Sequence, residues 1–277
     1  MQKNNLIVLI ADGVSKTGSM VVDHLTRLGH IVYYGADRAI ARSDMNPAAV
    51  PLDINLQDDS SVHAAVTKML KTEGRIDVLL NNINRPLFGA LELTDTVRIE
   101  RCLNEVLVGA VRLQNNIVPI MRSQRQGRIV NVSRHCGDLG GPLTGWQQAV
   151  VAAQDALAGA LESEVQHDGI MVQTVDLCLF HDQSVRPHQG LDYHLHQSAT
   201  PDLWRQFGQA IQASFDGVPE TEHSAAQIVN AVIAPPISRT AADVQPAGPT
   251  SCCAKTADAP GGVLARLFAR VHRRYVG

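Results

Sequence analysis

GRIDVLLNN, residues Gly74–Asn82, decides the fold of this chain. A glycine-led polar turn runs into Ile76–Asn81, a short and almost continuous apolar run. A strand buried on both faces of a parallel sheet has this pattern. On its N-terminal side Ser61–Lys71 sets Val62, Ala65, Val66 and Leu70 at helical spacing. On its C-terminal side one long helix is expected from Ile99 to Met121, with Leu103, Val106, Leu107, Ala110, Ile117 and Ile120 turned inward. A second unit repeats the grammar. Gly127 makes the turn, Arg128–Ser133 (RIVNVS) the strand, alanine-rich Gln147–Val165 the helix, and Ile170–Leu177 a sixth strand. Toward the N-terminus, Leu6–Ala11 reads as the first strand, followed by a glycine-containing turn at Asp12–Gly18. The next helix carries Val21, Val22, Leu25 and Leu28 and stops at Gly29; Ile31–Tyr34 and Val50–Ile54 read as strands two and three. Strands alternating with helices at this spacing imply right-handed crossovers. The fold class is therefore α/β, a Rossmann-like doubly wound parallel sheet flanked by helices in a single domain with a C-terminal extension.

That domain is expected over residues 1–234. Regularity fails after Leu177, so an irregular lid is expected at about 179–220, with a helical stretch at Pro201–Ala213 inside it. Thr221–Ile233 reads as the domain's last helix. The Pro/Ala/Ser/Thr/Gly-rich stretch 235–262 reads as a flexible linker. Residues 263–277 read as a basic amphipathic helix: Leu264, Leu267, Phe268 and Val271 share one side, and Arg266, Arg270, Arg273 and Arg274 lie on the others.

Composition removes several function classes. With 277 residues, 24 Lys+Arg against 27 Asp+Glu, and 45% hydrophobic residues, the chain has enough apolar surface to fold. Its near-neutral charge argues against a dedicated nucleic-acid binder. The N-terminal apolar run Leu6–Ala11 is far short of the ~20 residues of a membrane-spanning helix, and Asp12 breaks it. Five cysteines with no CxxC pair, and His188, His194 and His196 at spacings that match no standard ligand set, predict neither a disulfide framework nor a metal site. A reduced, cytoplasmic setting is expected.

GRIDVLLNN, GRIVNVS and PLTGWQQAVVAAQDALAGALESEV (Pro142–Val165), in this order, resemble the short-chain dehydrogenase/reductase family from about Leu6 to Ile233. The resemblance implies a nucleotide site at the carboxyl ends of the first strands, with NADP the cofactor in question, and a substrate pocket beneath the late lid. It also implies homo-oligomers formed through the two long helices. Carried over position by position, the family's glycine-rich phosphate turn falls on Ala11–Gly18. Only Gly18 matches it directly, with Gly13 as a displaced first glycine. Asp12 sets a carboxylate and Lys16 an ammonium where backbone approaches phosphate. Arg38 falls in the region that receives an adenosine 2′-phosphate, Asp53 and Ile54 on the pair around adenine, and Asn81 with Asn82 on the start of the family's NNAG.

The family's Asn-Ser-Tyr-Lys tetrad falls on Val106, Arg134, Gln147 and Val151. A glutamine amide cannot donate a proton to a nascent alkoxide as a phenol can, and valine supplies no charge. Three functions remain in view. The first is a small-molecule, nucleotide or protein-binding family member, a pseudoenzyme in a metabolic pathway. The second is a non-redox enzyme (elimination, isomerisation or cyclisation) working through Arg134, His135 and His181 at the strand ends. The third is an atypical NADP(H)-dependent oxidoreductase.

Overall fold

The computed structural model describes residues 5–36, 45–135, 143–178 and 221–234. Arg38, His181, the lid at 179–220, the linker and the C-terminal helix lie outside them. Six strands, β1 (Ile7–Ile10), β2 (Ile31–Ala36), β3 (Val50–Asp53), β4 (Val78–Asn81), β5 (Gly127–His135) and β6 (Ile170–Cys178), form one sheet in the order β3-β2-β1-β4-β5-β6. Every pairing is parallel. The helices are α1 (Lys16–Arg27), α2 (Asp59–Glu73), α3 (Thr96–Leu103), α4 (Gly109–Gln124), α5 (Gly145–Val165) and α6 (Thr221–Ile233).

The quoted stretch shows how sequence places these elements. Asp58 caps α2 by accepting from the Ser60 N–H, and Gly74 closes it at φ +75°, a conformation glycine adopts without a Cβ clash. Asp77 then accepts the Ile7 N–H at 2.7 Å, which pins the start of β1 beside β4 and sets the register Val8↔Val78. The apolar strands separate two cores. One contains Leu9, Leu79, Ile129, Val62, Met69, Leu113 and Ile117, under α2, α4 and α5. The other contains Ile10, Leu80, Val130, Val22, Leu25, Ile228 and Val232, under α1 and α6. Arg128 locks α6 in place by donating to the Ala231 and Val232 carbonyls and to that of Ala234, groups that a helix end otherwise leaves open.

Several boundaries differ from expectation; β2 runs on to Ala36 and β5 on to His135. The long helix is not uniform: Asn104–Val108 is a π-helical turn between α3 and α4. Gly109 beyond it passes so close to Leu56 that an added Cβ would sit 3.0 Å from the Leu56 Cβ. β6 runs one residue further than expected, to Cys178, paired throughout with an equally long β5. The result carries the carboxyl ends of β1, β4, β5 and β6 to one rim, where ligands bind in open α/β sheets.

Candidate functional site

The turn after β1 is closed by its own side chains. Asp12 is 8% exposed, and its Oδ1 accepts the Ser15 N–H at 3.3 Å. Ser15 caps α1, its Oγ accepting from the Gly18 N–H. Gly13 lies against Tyr34, and Gly18 lies against the Asp12 carbonyl. A Cβ on either would meet those neighbours at 2.4 and 2.5 Å, so both glycines are there for close approach. Lys16 is exposed at the first position of α1. Asn82, fully buried, donates to the Asp12 carbonyl at 2.9 Å and to Ser15 Oγ at 3.2 Å, which fastens the turn to the end of β4.

Charged groups extend this lattice across the rim. Arg85 Nη1 lies 3.3 Å from Asp12 Oδ2, and its Nε lies 2.6 Å from Glu105 Oε2. Glu105 also accepts from Gln57 Nε2 at 2.7 Å and from Arg101 Nε at 3.3 Å. Burial disfavours the Arg85 charge, but Asp12 and Glu105 outweigh it and raise its pKa above the ordinary value. Cys102 donates to the Arg85 carbonyl, and burial, aided by Glu105, pushes its thiol up to about 11.

Next to this lattice the structure gathers three of the four tetrad positions. Val106, Arg134 and Gln147 line one cavity with Ile83, Val132 and Val150, and its free volume is about 10 Å³. That is room for one water at most. Arg134 is 3% exposed and donates from Nη2 to Asn82 Oδ1 at 2.8 Å. Gln147 accepts the Leu87 N–H at 3.0 Å and donates to the Arg134 carbonyl at 3.4 Å. Val151 is buried on α5 and does not line this cavity. Asn104, two residues from Val106, accepts from Arg112 Nη1 and so is held by α4.

The remaining expectations separate. Asn81 donates to Asn131 Oδ1 at 2.9 Å, a bond between neighbouring strands. Asp53 ends β3 and is exposed, while Ile54 beside it is buried. Arg134 and His135, adjacent in sequence, engage different partners. His135 Nε2 lies 3.2 Å from Asp176 Oδ1, 3.6 Å from Asp155 Oδ2 and 3.2 Å from Ser133 Oγ. Burial raises the Asp155 pKa and Asp176 adds to the rise, against the lowering effects of His135 and a Ser133 hydrogen bond. Sequence reading passed over Arg85, Glu105, Asp155 and Asp176. A lone acid in the apolar run NEVLV was the one available signal for Glu105.

Residues 7–186 match the family described as short chain dehydrogenase. The chain belongs to the short-chain dehydrogenase family. A 3-ketodihydrosphingosine reductase of Bacteroides thetaiotaomicron is 32% identical over 159 residues, 57% of this chain and 58% of that protein. An uncharacterized oxidoreductase of Mycobacterium bovis is 30% identical over 195 residues, 65% of this chain and 57% of that protein. The matched stretches thus span somewhat more than half the length of these curated relatives. Among solved structures, a short-chain dehydrogenase from Streptomyces avermitilis superimposes with a TM-score of 0.58 at 27% identity, covering 63% of this chain and 66% of that one. A metagenomic short-chain oxidoreductase in complex with NADP superimposes with a TM-score of 0.61 over 82% of this chain and 90% of that one. At 16% identity this likeness is one of fold alone. No helix among the described residues is long and apolar enough to cross a membrane.

Proposed function

We propose that this family member acts by binding a small molecule, a nucleotide or a protein, and does not work as a dehydrogenase. The observation that carries the reading is the Asp12 carboxylate at the N-terminus of α1, where it accepts the Ser15 N–H. In this fold the amides at that helix start receive the pyrophosphate of a dinucleotide. Here a built-in anion already takes one of them, and Arg85 bridges from Asp12 to Glu105 beside it.

NADP(H) is the cofactor the family implies, and the residues of this turn do not fit it. A carboxylate about 4 Å from a phosphate charge is repelled by roughly 4 kcal/mol at an effective dielectric constant of 20. The Arg85 guanidinium, 3.3 Å from Asp12, offsets part of that repulsion. At the tetrad positions a valine, a buried arginine and a glutamine surround a cavity the size of a single water. None of these side chains is a general acid matched to a forming alkoxide.

The oxidoreductase names of the relatives favour a second reading, an atypical NADP(H)-dependent reductase. One experiment separates the two: calorimetric titration of the purified chain with NADPH and, separately, NADH. The binding-protein reading expects no heat of binding up to millimolar cofactor. A dissociation constant in the low micromolar range means that Asp12 and Lys16 are accommodated, and returns redox chemistry, or nucleotide-gated regulation, to the front. The same reading includes a homodimer through the helical stretches Ile99–Met121 and Gln147–Val165, where Val108 at the end of the π turn and Leu157 in α5 are 43% and 46% exposed. A monomer mass by light scattering refutes the dimer.

A further inference from the structure

We propose that His135, Asp155 and Asp176 form a binding site for a zinc-class divalent cation that joins β5, β6 and α5. The register of the two longest strands sets Ser133 directly beside Asp176, with His135 two residues further along β5. Asp155 comes from α5. One donor atom from each of His135, Asp155 and Asp176 lies within 4.8 Å of the others.

The two separations from His135 are close to those of a coordination shell. His135 Nε2 is 3.2 Å from Asp176 Oδ1 and 3.6 Å from Asp155 Oδ2. Ligands about 2.0–2.1 Å from a tetrahedral zinc ion stand about 3.3–3.4 Å from one another. A proton explains the arrangement less well. Ser133 Oγ also lies 3.2 Å from the same nitrogen, so three oxygens converge on an atom that can hold one hydrogen. Nor is this a nucleophile–histidine–carboxylate relay. Such a relay needs the serine and the acid on opposite ring nitrogens, and here both face Nε2. The other Asp155 oxygen, Oδ1, is buried and makes no hydrogen bond among the described residues.

Charge and ligand chemistry agree. Two carboxylates and a neutral imidazole carry two negative charges, which a divalent ion neutralises. An imidazole selects zinc and its neighbours over magnesium or calcium, which prefer shells made wholly of oxygen. Side-chain exposures of 31%, 35% and 22% leave the group reachable by an ion from solvent. Three protein ligands leave a fourth position for water or Ser133 Oγ. Residue counting along the chain misses this set, because the ligands come from three separate elements and are too far apart in sequence for any metal motif.

The test uses the full chain, stripped with EDTA and titrated with zinc chloride by calorimetry, with thermal unfolding followed alongside. One equivalent binds, and the unfolding midpoint rises. Asp155→Asn, Asp176→Asn and His135→Gln, each checked for folding by circular dichroism, weaken binding by about 100-fold or more. No binding at about 1 mM zinc overturns the site, as does an affinity that all three variants retain. X-ray absorption of the zinc-loaded wild type needs no variant. Nitrogen and oxygen neighbours at about 2.0–2.1 Å support the site, and sulfur at about 2.3 Å places the ion on cysteine instead and overturns it.

Discussion

Replacing Arg85 by Met removes the cation that bridges Asp12 and Glu105 while keeping most of the aliphatic stem. Breaking a fully buried ion pair by deleting one partner costs about 3–5 kcal/mol. Two features of this site lower that figure. The Arg85 side chain is 50% exposed, so solvent screens its charge. Each carboxylate also keeps other donors: Asp12 retains the Ser15 N–H, and Glu105 retains Gln57 and Arg101. Against this, the two acids are only 10% and 12% exposed, and water reaches them poorly once the guanidinium is gone. About 1–2 kcal/mol is the expected loss, which for a domain of this size lowers the unfolding midpoint by about 2–8 °C. Thermal unfolding by circular dichroism measures it. A cycle with Glu105→Gln isolates the pair and should return a coupling of about 1 kcal/mol. A midpoint within about 1 °C of wild type and no coupling in the cycle would refute the reasoning, since Arg85 would then be an ordinary solvated surface charge.

Gly18→Ala drives a Cβ to 2.5 Å from the Asp12 carbonyl, which is backbone and cannot swing aside; the variant should unfold well below wild type or fail to accumulate as soluble protein, as read by a solubility and melting assay. Arg128→Met strips the donors from three carbonyls at the end of α6 and should cost about 1–3 kcal/mol in urea unfolding, with amide exchange of α6 accelerated ahead of the sheet. Cys102, with its thiol raised from 9.0 to about 11 by burial, stays protonated through pH 9. Its peptide should therefore resist iodoacetamide at pH 8 in the folded chain and react on unfolding, which mass spectrometry reads directly. Leu113→Ala deletes a fully buried side chain between the sheet and α2 and should cost about 2–5 kcal/mol by chemical denaturation.

Fold and site were legible to different depths, for a physical reason. Strands such as Ile7–Ile10 and Val78–Asn81 are buried on both faces, so burial alone wrote the apolar runs that reveal them. The helices of the quoted region carry their stops in plain view, as Gly74 does for α2. The π turn at Asn104–Val108 was invisible because a single five-residue turn is too short to impose a period of its own between the α-helical stretches that flank it. At the site, the positions of Asp12, Arg134 and Gln147 were readable, and all three sit on the rim. Their partners were not. Arg85 and Glu105 are 20 residues apart, and Arg85 and Asp12 are 73 apart. Likewise Asp176 meets His135 only because the β5–β6 register sets Asp176 beside Ser133, two residues from His135 on the same strand. Long-range pairing between side chains leaves no periodicity for a single sequence to display.

The rim residues make sense only as a set. Asp12 alone would be a nearly buried carboxylate at the head of α1, held by one amide. With Arg85 it becomes half of an ion pair, and with Glu105 the arginine gains a second anion that fixes its direction. Asn82 ties the same turn to Arg134, which occupies the place where the family resemblance puts a serine. Each of these side chains bonds to the next, so removing one leaves another exposed to the cost of an unmet partner. Restoring a single family residue, for example Asp12→Gly, should therefore lower stability without opening the cleft: Arg85 would lose one anion, and Arg134 and Gln147 would still fill the space beyond. On the binding-protein reading proposed above, a single substitution of this kind would not create cofactor binding, because the turn and the cavity would have to change together. The rim thus behaves as one coupled network, in which the effect of any single substitution depends on the partners that remain.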